Sequence, residues 1–216
     1  MKLERVRVSE EPPPQSTEER EGPRFTLLIR AAKLVAPQGE FICVIRDVAQ
    51  GGVSLRGFHV LPVSGPLWLE LRTGQRIALE PVWSRGFEAG FRFVEPVEVA
   101  MLVTEAGSFP KRQLRLNIPF KVELALPGGR VRAQVLNLSQ QGARIECDSL
   151  LAIEQPLRLC SGPLPEVRAR VRWRSDREYG LVFDDTFSLN QLALFAAGAQ
   201  CPMLLDPAAT TAASRR

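Results

Sequence analysis

Apolar and polar residues alternate along most of this chain. In Leu67-Trp-Leu-Glu-Leu-Arg72 the leucines point one way, and Trp68, Glu70 and Arg72 the other. Val131, Ala133 and Val135 share one side of their stretch, and Ala143, Ile145 and Cys147 share one side of theirs. From Val167 to Trp173 the odd positions are apolar and the even ones are arginines. Period two with one wet face predicts antiparallel strands. Turn residues separate the runs, as at Pro37-Gln-Gly, Ser64-Gly-Pro, Thr73-Gly, Pro127-Gly-Gly and Ser161-Gly-Pro. About six strands fit each half, enough to curl and close into a small barrel without long edges. The alternation puts Trp83 and Trp173 at inward positions, and both are expected in the cores.

Helical patterns close each half. Ser188 is placed to cap a helix with Leu189, Leu192, Phe195 and Ala196 on one face and Gly198 as its stop. Pro96 opens a weaker pattern through Val97, Ala100, Met101 and Ala106, ended by Gly107, in which the β-branched valines count against a helix.

The halves repeat one another. Asp47-Val-Ala-Gln-Gly-Gly52 is matched 90 residues on by Asn137-Leu-Ser-Gln-Gln-Gly142, Trp83 by Trp173, and Gly90-Phe-Arg-Phe93 by Gly180-Leu-Val-Phe183. The expected organisation is a flexible leader over 1–19, a first barrel and linking helix over 20–106, a second barrel with a C-terminal helix over 109–200, and a disordered tail over 201–216. The leader holds Pro12-Pro-Pro14 among mixed charges.

Composition narrows the function classes. No run approaches about 18 apolar residues, which excludes a helical membrane span. Charge fills the first residues where a signal peptide needs an apolar stretch, so the expected compartment is the cytoplasm. Cys43, Cys147, Cys160 and Cys201 are widely spaced, against a zinc or redox motif, and no metal site is expected. The single histidine, His59, lies in no catalytic pattern and is expected on a loop or strand surface. The net charge of +4 is uneven: residues 109–200 carry 13 basic and 9 acidic groups, against 10 and 9 in residues 20–106. That favours an anionic partner for the second half. The arginines at 168, 170, 172 and 174 are expected to form a solvated strand face.

The repeated polar motif carries the candidate chemistry. An Asx residue, a small hydroxyl two on and a glycine three further on make a compact turn that offers acceptor and donor groups. Upstream, Arg20 and Arg24 stand four apart, with Arg24 23 residues before Asp47. In the second half Lys111, Arg112 and Arg115 occupy that place, with Arg115 22 residues before Asn137. Guanidinium groups fork onto phosphate and stack on flat rings. Paired with an Asx turn, they suit a ligand with both phosphates and purine edges.

An R-x-x-x-R pair, a D/N-x-S-x-x-G turn about twenty residues later, a V-x-W strand and a G-x-x-F strand together resemble the PilZ domain, over both halves. The resemblance implies a tandem of six-stranded antiparallel barrels, each followed by a helix. It implies cyclic di-GMP as ligand and no other cofactor, with the arginine pair clamping guanine and phosphate and the turn holding a guanine edge. Carried over by position, the site residues are Arg20, Arg24, Asp47 and Gly52 in the first copy, and Arg115, Asn137, Ser139 and Gly142 in the second. Ala49 stands in place of the first copy's serine; Lys111 replaces the second copy's first arginine, with Arg112 beside it. Which copy binds stays open. The fuller turn and positive charge favour the second, and the intact arginine pair favours the first.

The resemblance implies a non-catalytic receptor that passes a second-messenger signal to a partner protein, by altering how the two barrels sit together. Nothing in the chain resembles a cyclase or phosphodiesterase. The alternative is a degenerate tandem that binds no nucleotide and acts as an interaction module. A nucleic-acid-binding barrel is discounted, because it needs exposed aromatics, and aromatic residues make up 7% of the chain, with most at positions read as inward.

Overall fold

The computed structural model describes residues 25–103, 113–162 and 165–206. In the first half β1 (Phe25–Ala36), β2 (Gly39–Ala49), β3 (Gly52–Gly57), β4 (Leu67–Glu70), β5 (Arg76–Arg85) and β6 (Glu88–Phe93) precede α1 (Val99–Val103). In the second half β7 (Phe120–Leu126), β8 (Gly129–Leu138), β9 (Gly142–Cys147), β10 (Pro156–Cys160), β11 (Val167–Ser175) and β12 (Glu178–Phe183) precede α2 (Leu189–Gln200) and a 3-10 turn at Pro202–Leu205. The strands close into two antiparallel barrels, ordered β1-β2-β3-β6-β5-β4 and β7-β8-β9-β12-β11-β10. The wiring of one is the wiring of the other. The inward sets are those of the period-two pattern: Leu67 and Leu69, Ala133 and Val135, Ala143, Ile145 and Cys147, and Val167, Ala169 and Val171 are all buried. Each large aliphatic side chain so enclosed contributes about 1.5–3 kcal/mol.

The helices differ from expectation in detail. Ser188 caps α2 in a reciprocal box with Gln191, but the helix runs through Gly198 to Gln200. A Cβ at Gly198 would lie 3.3 Å from Leu205 Cδ1, so the glycine's role is to let the 3-10 turn fold back on the helix. That turn stands where a disordered tail was expected to begin. α1 starts at Val99 instead of at Pro96; residues 104–112, including the expected stop, lie outside the described residues.

The two barrels are bonded to each other. Ile42 of β2 belongs to the second core, and Ala197 of α2 to the first. Gln200 Nε2 donates to the Glu40 carbonyl at 2.9 Å, and the Glu40 amide donates to Gln200 Oε1 at 2.8 Å. The Glu40 carboxylate accepts from Asn117, through its backbone N–H at 2.9 Å and its amide at 2.8 Å. Lys33, buried beneath, bridges Glu40 at 2.9 Å and Glu70 at 2.6 Å.

His59 is not on the surface: it is 1% exposed, edge-on to Phe41, and its Nδ1 lies 2.7 Å from the Val60 carbonyl. The reason is its neighbours, since Phe58 packs against the second core and the Val60 amide bonds to Leu204. The loop around His59 lies at the junction between barrels, and no single-chain pattern marks that.

Candidate functional site

The segment before β7 sets the site. Residues 114–118 alternate, with Leu114, Leu116 and Ile118 buried and Arg115 exposed. Leu116 exchanges both backbone hydrogen bonds with Leu138, at 2.8 and 2.9 Å. Leu138 lies between Asn137 and Ser139. The bridge therefore holds Arg115 beside the Asx turn, although 22 residues separate Arg115 from Asn137 in sequence.

Two β-bulges aim the other side chains. One falls between Val135 and Asn137 of β8, so Leu136 and Asn137 both face outward. A second falls between Val171 and Trp173 of β11, turning Arg172 and Trp173 outward together. An extra residue in one strand reverses the inside-outside phase beyond it. This corrects the core assignment of the tryptophans: Trp173 is 42% exposed, and Trp83, beyond the matching bulge between Pro81 and Trp83, is 45% exposed. Each indole lies across a glycine of the neighbouring strand, Trp83 over Gly90 and Trp173 over Gly180, where a Cβ would strike the ring nitrogen. The G-x-x-F glycines are thus explained by the tryptophans that cover them.

The turn's own glycine works differently from expectation. Neither Gly52 nor Gly142 has a positive φ. A Cβ at Gly142 would strike the Leu181 carbonyl oxygen, and one at Gly52 that of Phe91. Close approach of strands, not an unusual backbone angle, requires glycine there. Ser139 closes the turn: its amide donates to the Gly142 carbonyl at 2.9 Å and its hydroxyl donates to the same oxygen at 3.1 Å. The hydroxyl lone pairs remain free to accept.

Around these groups lies a cleft of about 410 Å³. Arg115, Asn137, Ser139 and Gly142 all line it, so the structure brings together four of the predicted site residues. It adds the polar groups of Gln113, Gln141, Arg144 and Arg172, and it brings in Trp173 of the V-x-W strand, which was expected in the core. Arg144 pairs with Glu178 and Arg172 with Glu154 at 3.0 Å, while Arg115 has no ion-pair partner among the described residues. The cleft thus offers three guanidinium groups, three side-chain amides, one hydroxyl and one indole face. Arg20, Arg24, Lys111 and Arg112 lie outside the described residues. A larger groove of about 950 Å³ lies elsewhere on the second barrel, but its Lys121, Arg130, Arg132 and Arg177 face Glu123, Glu146, Asp148 and Glu166, and it contains no motif residue.

The first barrel has the same scaffold and different chemistry. Asp47 faces outward beyond a bulge between Ile45 and Asp47, but its carboxylate accepts from Ser54 at 2.9 Å. Ser54 stands where the second barrel has Arg144, and Val82 where it has Arg172. Of the arginine stripe, Arg168 and Arg170 pair with Asp185 and Asp184 at 3.4 and 3.7 Å; all are exposed, and such pairs are worth little. Among the described residues no cluster of His, Cys, Asp or Glu could hold a metal ion, and no helix is long and apolar enough to cross a membrane.

Comparison with known proteins matches residues 110–197 to the PilZ domain family. No curated protein matches the chain. Among solved structures it is similar to the Borreliella burgdorferi PlzA protein in complex with c-di-GMP, at 12% identity over 80% of this chain and 88% of that one, with a TM-score of 0.34. YcgR from Escherichia coli in complex with c-di-GMP is 14% identical over 76% and 80%, with a TM-score of 0.32. The K. pneumonia MrkH-c-di-GMP complex is 10% identical over 86% and 90%, with a TM-score of 0.30. The family match spans the lead-in segment, all six strands of the second barrel and most of α2, so it is the second half of the chain that is similar to the PilZ domain.

Proposed function

We propose that this protein is a non-catalytic cytoplasmic receptor for cyclic di-GMP, that the second barrel holds the ligand, and that the signal passes to a partner protein. The observation that supports this most is the convergence of Arg115, Asn137 and Ser139 on one cleft within the part of the chain that matches the PilZ family. Each group has a task that a guanine nucleotide sets. The Asn137 amide both donates and accepts, as a guanine edge does. Arg115 and Arg172 can fork onto phosphate, and Lys111 and Arg112, a few residues upstream of Arg115, add charge. The exposed face of Trp173 can stack on a base. The first barrel has lost more than the serine at Ala49, because Ser54 and Val82 replace two guanidinium groups. It is the degenerate copy on this reading.

Isothermal titration with cyclic di-GMP and with GMP tests the proposal. Cyclic di-GMP should bind at one barrel, and GMP far less well, since one phosphate and one base use only part of the cleft. Arg115→Ala should weaken binding about 10- to 100-fold and Ser139→Ala less, because a charged hydrogen bond outweighs a neutral one. Equal affinity for GMP would overturn the ligand assignment. A silent Arg115→Ala beside an inactivating Arg24→Ala would move the site to the first barrel.

A further inference from the structure

The outer face of β3, β6 and β5 corresponds to that of β9, β12 and β11, which carries the motif in the second barrel, and its side chains differ. In the second barrel, Trp173 is flanked by Arg172 and Arg144, with Arg177 at the turn between β11 and β12. The matching residues of the first barrel are Val82, Ser54 and Phe87. Val82 is 66% exposed, Trp83 45% and Phe87 45%. Three large apolar groups thus stand open to water at one end of one hairpin, at positions where the sister barrel keeps one tryptophan and two arginines. Clustered exposure of this kind marks an interaction surface, and scattered single residues do not.

The rim has changed sign as well. Arg56, Glu88 and Arg85 form one row across β3, β6 and β5. Their counterparts in the second barrel are Glu146, Glu178 and Ser175. Arg46, the bulge residue of β2, stands where the second barrel has Leu136, and it lies 3.6 Å from Glu88. Arg56 and Arg85 are exposed and have no ion-pair partner among the described residues. Three arginines against Glu88 and Asp47, whose carboxylate is held by Ser54, leave the rim positive around an apolar centre.

We infer that this face of the first barrel docks an acidic segment of another protein. An apolar side chain of that segment would seat against Trp83 and Phe87, and its carboxylates would meet Arg56 and Arg85. Aromatic anchors ringed by complementary charge are the usual composition of an interface centre and its rim. The inference takes from the receptor reading only its need for a partner and uses no part of the nucleotide cleft.

The full chain, screened against a display library of random linear peptides without nucleotide, tests this. Enriched peptides should combine Asp or Glu with an aromatic or large aliphatic residue. Their affinity should fall at least tenfold in Phe87→Ser and in Arg56→Glu, two exposed positions whose change leaves the barrel interior untouched. It should also weaken with added salt. Arg115→Ala, made in the other barrel, should leave it unchanged, so failure of the nucleotide site and failure of this surface are told apart. Enrichment of basic or uncharged peptides, or affinities indifferent to both substitutions, would overturn the inference. So would tight binding of a single-stranded oligonucleotide that Arg56→Glu abolishes while no peptide is enriched.

Discussion

Trp173 and Gly180 act as one unit. The indole can lie against β12 only because position 180 has no Cβ, and in that pose its outer face lines the cleft. Gly180→Ala should displace the ring while the strands stay paired, so cyclic di-GMP affinity should fall roughly tenfold, the scale of one base-aromatic stack. Gly90→Ala does the same to Trp83 and should leave affinity intact. Titration of both variants by intrinsic fluorescence decides it, and equal losses would mean that the indole does not meet the ligand. His59 gives a second test at this scale. Burial holds its imidazole below the ordinary histidine value, against a smaller upward pull from the Val60 carbonyl. Below about pH 6.5 the unfolded chain takes up a proton that the folded chain refuses, so stability falls as pH drops through that value, by at most about 1.4 kcal/mol per pH unit. With one histidine in the chain, the interval from pH 7.5 to 5.5 isolates it. Urea midpoints should drop across that interval, and His59→Gln should flatten the drop.

Among the elements, strands were legible where alternation ran unbroken and misleading where a bulge interrupted it. Val167, Ala169 and Val171 were read correctly as one inward face; the same count carried two residues further put Trp173 inside, and the bulge puts it outside. A bulge changes the phase without changing composition, so period-two reading cannot detect it. The lead-in segment was legible as chemistry, through its arginines, but not as geometry, because the Leu116–Leu138 bridge is a long-range backbone contact. Helix α2 was legible from its cap, where Ser188 accepts from the Gln191 amide at 3.2 Å and Gln191 Oε1 accepts from the Ser188 amide at 2.9 Å. Ser188→Ala should cost about 1 kcal/mol. Because α2 packs on both cores, the loss should appear as a lower melting temperature for the whole chain. A chain that lost only local helicity, at an unchanged midpoint, would contradict that.

For the whole molecule the decisive residue is Glu40. Its carboxylate serves Lys33 within the first barrel and Asn117 of the second barrel's lead-in, and its backbone is bonded to Gln200 of α2. Asn117 is two residues from Arg115, so ligand bound at the arginine would pull on the segment that Glu40 holds. The bonds between barrels favour a single block over two beads on a string, and calorimetry should record one cooperative transition for the native chain. Glu40→Ala leaves the Asn117 amide without its acceptor and takes one of two carboxylates from Lys33, which keeps Glu70, a loss on the order of 1–3 kcal/mol. Combined with Gln200→Ala, it should split unfolding into two transitions, because it removes the polar ties of Glu40 and leaves the packing of Ile42, Phe58 and Ala197 and the Val60–Leu204 hydrogen bond. Cyclic di-GMP should then raise only the transition of the second barrel, whereas in the native chain it raises the single one, since a ligand stabilises only what unfolds together with its site. If the double variant still melted in one step, and the ligand shifted all of it, the coupling between barrels would have to rest on the packing of Ile42, Phe58 and Ala197 and on the Val60–Leu204 bond.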